Sequence, residues 1–239
     1  MTVRGILFDI GDTLFRLNPM AEVREEMAAV LSDTCGLEPD AASVAAENAL
    51  RSHREEAMAA WRTGRMEEPA LDEVLFRHFS PHAGISREAA AALAEVLWRA
   101  DVARFEPGAD CASRVEHFRT AGYRLAAVSN TSTHSSFLGG YLESVGLLPL
   151  FETVVYSSDL GVRKPHPEIY REALRRLALE PGEAVFVGDR VREDVVGPQS
   201  VGLTAVLTHE YRQEDPGDVK PLAVIQSLTE LSSLLARAN

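Results

Sequence analysis

Cysteine is scarce in this chain, and so is positive charge. Only Cys35 and Cys111 occur among 239 residues. Two thiols cannot build a disulfide framework and point to a reducing compartment. Lysine and arginine together number 24 against 36 acids, a net charge of −12. That balance argues against nucleic acid or an anionic membrane surface as the main partner. An anionic small molecule would need local positive charge, or a bound cation, to overcome such a field. No basic-then-apolar leader opens the sequence, and no run approaches the roughly 20 apolar residues of a membrane span. The expectation is a cytoplasmic protein with no membrane contact and no nucleic acid. Internal repeats and low-complexity segments are absent too. What is present is a hydrophobic fraction of 46%, ample for a core, in a length that suits one large domain or a medium domain with an insertion.

The chain changes character twice. Val3 and Ile6 to Phe8 form an apolar run short enough to be a buried parallel strand. From about Met20 to Phe105 the sequence is rich in Ala, Glu, Arg and Leu and almost free of strand-like runs. Met20–Leu31, Ala41–Trp61, Pro69–Phe79 and Arg87–Ala100 read as amphipathic helices. Glu38-Pro39-Asp40 and Ser86 stand at helix starts, and Gly36, Gly64 and Gly84 at helix ends. Beyond Pro107-Gly108 strands and helices alternate. Strands are expected at Tyr123–Val128, Val154–Tyr156, Ala184–Val187 and Leu203–Leu207. Helices are expected at Ala112–Thr120, Ser135–Val145, Pro167–Leu177, Val191–Ser200 and Ile225–Ala236. Such alternation implies an α/β protein with a parallel, doubly wound, Rossmann-like sheet and right-handed crossovers. The helical block reads as an inserted subdomain. The expected division is a core of residues 1–16 and 107–239 and an all-helical insertion of 17–106.

The chemistry rests on convergence. Asp9, Ser129, Lys164 and Asp189 each follow an expected strand or lie in the loop after one. In a parallel sheet those positions gather at one edge, where ligands bind. Each has an ordinary reading alone: a strand-to-turn acid, a capping Ser129-Asn130-Thr131 turn, a surface Lys164-Pro165 loop, an acidic helix start at Asp189 and Asp194. Together they suit phosphate. Asp9 is a potential nucleophile, and Ser129 and Asn130 are donors for phosphoryl oxygens. Lys164 is a compact cation for the same oxygens and for Asp9. Asp189 and Asp194 would repel Asp9 unless a cation such as Mg²⁺ sat among them.

In order and separation these segments resemble the four motifs of the haloacid dehalogenase (HAD) superfamily. They are Phe8 to Leu14, Val128 to Asn130, Lys164 to Pro167, and Gly188 to Asp194 continuing through Gly197 and Gly202. The helical block occupies the place of that family's cap. The resemblance implies Asp9 as nucleophile and metal ligand, Ser129 and Lys164 on the phosphoryl group, and Asp189 on Mg²⁺. It further implies Asp194 ordering the metal's water shell and the carbonyl of residue 11 as a metal contact. The implied activity is Mg²⁺-dependent hydrolysis of a small phosphorylated metabolite through an aspartyl-phosphate.

One position departs from the pattern. Phosphatases of this family usually carry a second Asp two residues after the nucleophile, as the general acid and base. Here that residue is Gly11, and an acid follows one place later as Asp12. Asp12 re-aimed by the glycine, or His134 or His209, are the candidate replacements. His53, Arg54, Trp61, Arg62 and Arg65 in the helical block are candidates for reaching the substrate, or else a solvated face. Two alternatives follow. One is a metal- and phosphate-binding regulatory protein of low turnover. The other is a metal-independent 2-haloacid dehalogenase, against which the acids and the absence of Tyr at position 11 count. A phosphonate-cleaving enzyme needs a cap lysine, and 19–107 contains none.

Overall fold

The computed structural model describes residues 2–19, 21–108, 110–132 and 134–238, with the side chains of 57, 61 and 238 left aside. Met20, the expected start of the first inserted helix, and the Trp61 side chain therefore lie outside the described residues. The elements, in order, are β1 (Gly5–Phe8), β2 (Phe15–Leu17), α1 (Arg24–Cys35), α2 (Pro39–Thr63), α3 (Leu71–Ala83), α4 (Arg87–Ala103) and β3 (Phe105–Pro107). They continue with α5 (Cys111–Thr120), β4 (Arg124–Ser129), α6 (Ser135–Ser144), β5 (Thr153–Tyr156), α7 (Ser157–Leu160), α8 (Pro167–Arg176) and β6 (Ala184–Gly188). A π-helical turn (Val191–Val196), α9 (Gly197–Ser200), β7 (Thr204–Thr208), β8 (Ala223–Ile225) and α10 (Thr229–Ala238) complete the chain.

Six strands form one sheet in the order β5-β4-β1-β6-β7-β8, and every pairing in it is parallel. β1 lies near the middle because all four of its residues are apolar or small and buried. Its side chains alternate between two cores. Ile6 and Phe8 pack with Val115 and Phe118 of α5, Leu138 and Leu142 of α6 and Leu231 and Leu235 of α10. Leu7 packs on the opposite face with Ile169, Tyr170 and Leu174 of α8. Helices cover both faces, as a doubly wound parallel sheet requires. Helices α1 to α4 pack around a separate apolar cluster that includes Met27, Leu31, Leu75, Phe79 and Leu93.

The helix punctuation follows the sequence. Gly36 and Gly84 close α1 and α3 with φ of +66° and +60°, and the Ser86 hydroxyl accepts from the Ala89 N–H at 3.2 Å. Four elements differ from expectation. The chain entering and leaving the helical block pairs with itself. Phe15, Arg16 and Leu17 lie opposite Pro107, Glu106 and Phe105 in an antiparallel ribbon, whose strands are too short for periodicity to reveal. Ile225 ends a sixth core strand, β8, and the last helix starts only at Thr229. Residues after Asp189 form a π-turn where an ordinary helix was expected. Helix α3 runs through Pro81 to Ala83 rather than stopping at Phe79. Proline sits in its last turn, where one lost hydrogen bond matters little.

Candidate active site

The carboxyl ends of β1, β4 and β6 and the loop after α7 meet at one cleft of about 490 Å³. Asp9 leaves β1 with its N–H donated to the Val187 carbonyl at 2.9 Å, so the sheet ladder itself fixes where the carboxylate begins. Lys164 Nζ donates to Asp9 Oδ1 at 2.5 Å and to Asp194 Oδ1 at 2.8 Å. Thr13 Oγ1 donates to the other Asp9 oxygen at 3.0 Å. Asp194 Oδ2 accepts the Arg190 N–H at 3.0 Å, which closes the π-turn around it. Arg212 Nη1 reaches Asp189 Oδ2 at 3.2 Å. Carboxylate oxygens of Asp9, Asp189 and Asp194 lie within 4.8 Å of one another, and all three residues are buried.

This cluster is electrostatically demanding. Burial, opposed by Lys164 and reinforced by Asp194, pushes the Asp9 carboxyl up to about 6. Burial, with Asp9 and Asp194 beside it, pushes Asp189 up to about 8. Lys164 is one of two lysines in the chain and is 3% exposed. Burial works against its charge, yet Asp194 and Asp9 hold its ammonium well above the ordinary lysine range. Inside the cluster one buried ammonium faces three buried acids, and the partly exposed Arg212 and exposed Arg190 act on Asp189. Gly188 makes the crowding possible, since a Cβ there would stand 2.4 Å from Asp194 Cγ.

Ser129, at the end of β4, is buried and lines the cleft. Asn130 lines it too, but its carboxamide is committed elsewhere. Oδ1 accepts the Lys164 N–H at 2.8 Å, and Nδ2 donates to the Lys164 carbonyl at 3.2 Å. The expected phosphate donor is thus the clamp on the Lys164 loop, because an extended backbone beside a free amide makes a two-sided pair. Asp12 also differs from expectation. Its carboxylate accepts the Leu17 N–H at 2.9 Å, and its own φ is +54°. It ties the β1 loop to the ribbon. Gly11 lines the cleft, and its φ lies outside the left-handed region. A Cβ there would meet only the Leu17 side chain, at 2.8 Å from a methyl group.

The histidines stand aside. His134 is exposed and caps α6, accepting the Ser136 N–H at 3.2 Å. His209 Nε2 donates to the Glu214 carbonyl at 3.0 Å. Of the helical-block candidates, Arg65 lines the cleft. His53 and Arg54 line a neighbouring cavity of about 670 Å³ that borders the cleft at Asp101 and Ser132. Arg62 donates back to the Met58 carbonyl at 3.3 Å. Sequence reasoning missed Glu68, Asp101, Arg104, Arg163, Arg190 and Arg192, which also line the cleft. The Arg163 signal was adjacency to Lys164, and that of Arg190 and Arg192 was their place between Asp189 and Asp194.

A parallel six-stranded sheet carrying such a cluster at its carboxyl edge defines an α/β protein with its site where such sheets bind ligands. The sequence profile of the haloacid dehalogenase-like hydrolases matches residues 3–202, and the chain belongs to that family. The glyceraldehyde 3-phosphate phosphatase of Methanopyrus kandleri is 29% identical over 213 residues, spanning 89% of this chain and 87% of that protein. The protein of the same name from Methanothermobacter thermautotrophicus is 25% identical over 239 residues, spanning 98% and 100%. Among solved structures, the HAD phosphatase from Thermococcus onnurineus superposes with a TM-score of 0.66 at 27% identity, covering 98% of each chain. A 2-haloacid dehalogenase from Pseudomonas syringae pv. Tomato gives 0.70 at 23% identity over the whole of both chains, a likeness of fold. Among the described residues no helix is long and apolar enough to cross a membrane.

Proposed function

We propose that the protein is a Mg²⁺-dependent phosphatase that hydrolyses a small phosphorylated metabolite through a phosphorylated Asp9. The observation that carries this reading is the meeting of Asp9, Asp189 and Asp194 with Lys164 in one buried cluster. The names of the relatives support the phosphatase class. The donor set fits Mg²⁺, since it is all oxygen, compact and short of positive charge. Asp9, Asp189 and the Gly11 carbonyl would hold the ion, with Asp194 beyond them. Once bound, it supplies charge neutralisation for the phosphoryl oxygens.

The chain's own groups do the rest. An Asp9 carboxylate oxygen attacks phosphorus, and the ester oxygen departs with its bonding pair and takes up a proton. Water then attacks the phosphorus of phospho-Asp9, releasing inorganic phosphate and the free carboxylate. Lys164 keeps Asp9 ionised and neutralises the phosphoryl group, as its contact to Asp9 Oδ1 supports. Ser129 donates to a phosphoryl oxygen, while Asn130 holds the Lys164 loop in position. The leaving group is the weak point. Gly11 has no acid to offer, and the Asp12 carboxylate is engaged by Leu17. Esters with good leaving groups are therefore favoured. Residues 17–106 act as the cap over a core of 1–16 and 107–239 and hold the selectivity.

That same observation favours a second reading, a metal- and phosphate-binding regulator of low turnover. Phosphate release from a panel of esters in Mg²⁺, in chelator, and by Asp9→Asn decides between them. The phosphatase reading expects release in Mg²⁺ alone, abolished by Asp9→Asn. Release undiminished in chelator would sink it and point to metal-independent chemistry.

A further inference from the structure

Five arginines line the cleft of a chain whose net charge is −12. Three of them have a local acid. Arg104 meets Asp101 at 3.3 Å, Arg163 meets Glu68 at 3.4 Å, and Arg65 meets Glu56 at 3.0 Å. Arg190 acts on the neighbouring Asp189 carboxylate, but Arg192 makes no ion pair among the described residues, although acids outnumber cations throughout the molecule. Arg192 is half-buried, so its charge is not simply dissolved in solvent.

The position of Arg192 is informative. It leaves the core after Asp189 and lies against the turn that ends α2. A Cβ on Gly64 would stand 2.8 Å from Arg192 Nη2, and Gly64 itself has a φ of +71°. The next residue on that turn is Arg65. Its guanidinium is held by Glu56, which in turn engages His78 Nε2 at 2.7 Å and Arg77 at 3.3 Å. An oriented cationic side chain from the helical block and an unpartnered one from the core thus converge on one cleft, across the seam between the two units. Like charges so arranged repel in a partly desolvated site, and an anion between them reverses the sign of that interaction. Lys164 and the acid cluster already serve the reacting phosphoryl group at the bottom of the cleft. The rim cations are left for something else on the same molecule.

We infer that Arg65 and Arg192 bind a second anionic group, a carboxylate or a second phosphate, at the non-reacting end of a short phosphate ester. This rests on the phosphatase reading of the lower site and names its substrate class. The second anion bridges helical block and core, so a substrate carrying it holds the two together while one lacking it does not.

Binding to Asp9→Asn in Mg²⁺, measured by calorimetry, is the test, since that variant leaves the rim intact. The probes are glycerol 3-phosphate, 3-phosphoglycerate and glycerol 1,3-bisphosphate, which share three carbons and differ at the far end. Either or both probes with two anionic groups should bind about tenfold or more tighter than glycerol 3-phosphate. Their ranking tells carboxylate from phosphate. Arg65→Gln and Arg192→Gln should each bring the ratio to within about threefold. Equal affinities, no binding of any probe, or a preference that survives both substitutions would overturn the inference. Phosphate release by the wild type is read separately. A protein that prefers the probes with two anionic groups yet releases no phosphate keeps the rim assignment and loses the phosphatase reading.

Discussion

Lys164 and His53 face neighbouring hollows on the two sides of one seam, and their surroundings differ in kind. On the core side the acids are hydrogen-bonded before any substrate arrives. Lys164 holds two acids, Thr13 and Arg190 supply further donors, and Arg212 meets the third acid. On the helical side, polar atoms are left over. Arg24 Nε and His53 Nδ1 are buried without a hydrogen-bond partner, and both residues line the cavity of about 670 Å³. A buried unsatisfied donor costs about 1 to 3 kcal/mol, which a fold tolerates where a ligand or water completes the bond. Burial and the neighbouring His78 also hold His53 below its usual pKa, so the ring remains a neutral donor and acceptor. The core side is a closed network of charges, and the helical side leaves polar atoms facing a cavity.

Breaking the core side should have the largest consequence. Lys164→Met leaves Asp9 and Asp194 facing each other without their ammonium. Phosphate release should fall about 10³-fold or more, and the loss of one partner from a buried ion cluster should destabilise by about 3 to 5 kcal/mol. Phosphate assays and urea titration read both. A variant that is stable and active would show the cluster to be dispensable.

Next in size is Gly11→Asp. The φ of Gly11 is accessible to any residue and its neighbour is a Leu17 methyl group, so the side chain has room once Leu17 turns. A positioned general acid contributes roughly 10² to 10⁴ in rate, and alkyl phosphates should gain most, aryl phosphates least. If wild type already cleaves alkyl and aryl esters equally well and Asp12→Asn cripples it, Asp12 is the acid after all.

Removing the metal should change how stability depends on pH. The folded-state pKa values of Asp9 and Asp189 are raised to about 6 and about 8. Between the unfolded value near 4 and those values, the folded state holds more protons than the unfolded chain. In chelator the protein should therefore lose stability as pH rises from about 4 to about 8. Mg²⁺ should flatten or invert that slope, because it favours the ionised carboxylates. Thermal unfolding across this range, with and without Mg²⁺, checks the sign. A chelated protein that gains stability as pH rises would contradict the burial argument.

The smallest effect should come from the helical side alone. Ser86→Ala removes the side-chain acceptor at the start of α4, at a cost of about 1 kcal/mol. Turnover under saturating substrate should be unchanged. A loss of rate without a loss of stability would mean that α4 contributes to the chemistry.

The legibility of the sequence follows the same division. Asp9, Ser129 and Asp189 were readable because each sits at or just beyond an apolar run, Lys164 because it lies in the connection after one, and parallel strands bring such ends together. Gly36, Gly84 and Ser86 announced helix ends through chemistry local to a few residues. What escaped depends on partners distant in sequence. The Asn130 clamp needs Lys164, the Asp12 acceptor needs the backbone of Leu17 after a backbone reversal, and Arg192 matters only against Gly64. β8 was hidden because three residues carry no period, and the expected helix absorbed Ile225.

The ribbon of β2 and β3 has a bearing on how such a molecule is put together. Because Phe15 lies opposite Pro107, the chain leaves the sheet and returns to it at nearly the same place. Everything between is, for the sheet, a loop with closed ends. A chain in which a short turn replaces the stretch from Arg16 to Glu106 would still present β1 and α5 in their present order and spacing. The same geometry lets an insertion of any size or shape be exchanged there without re-registering a single core strand. Core and helical block can thus be inherited, lost or grafted separately, through a splice site two strands wide.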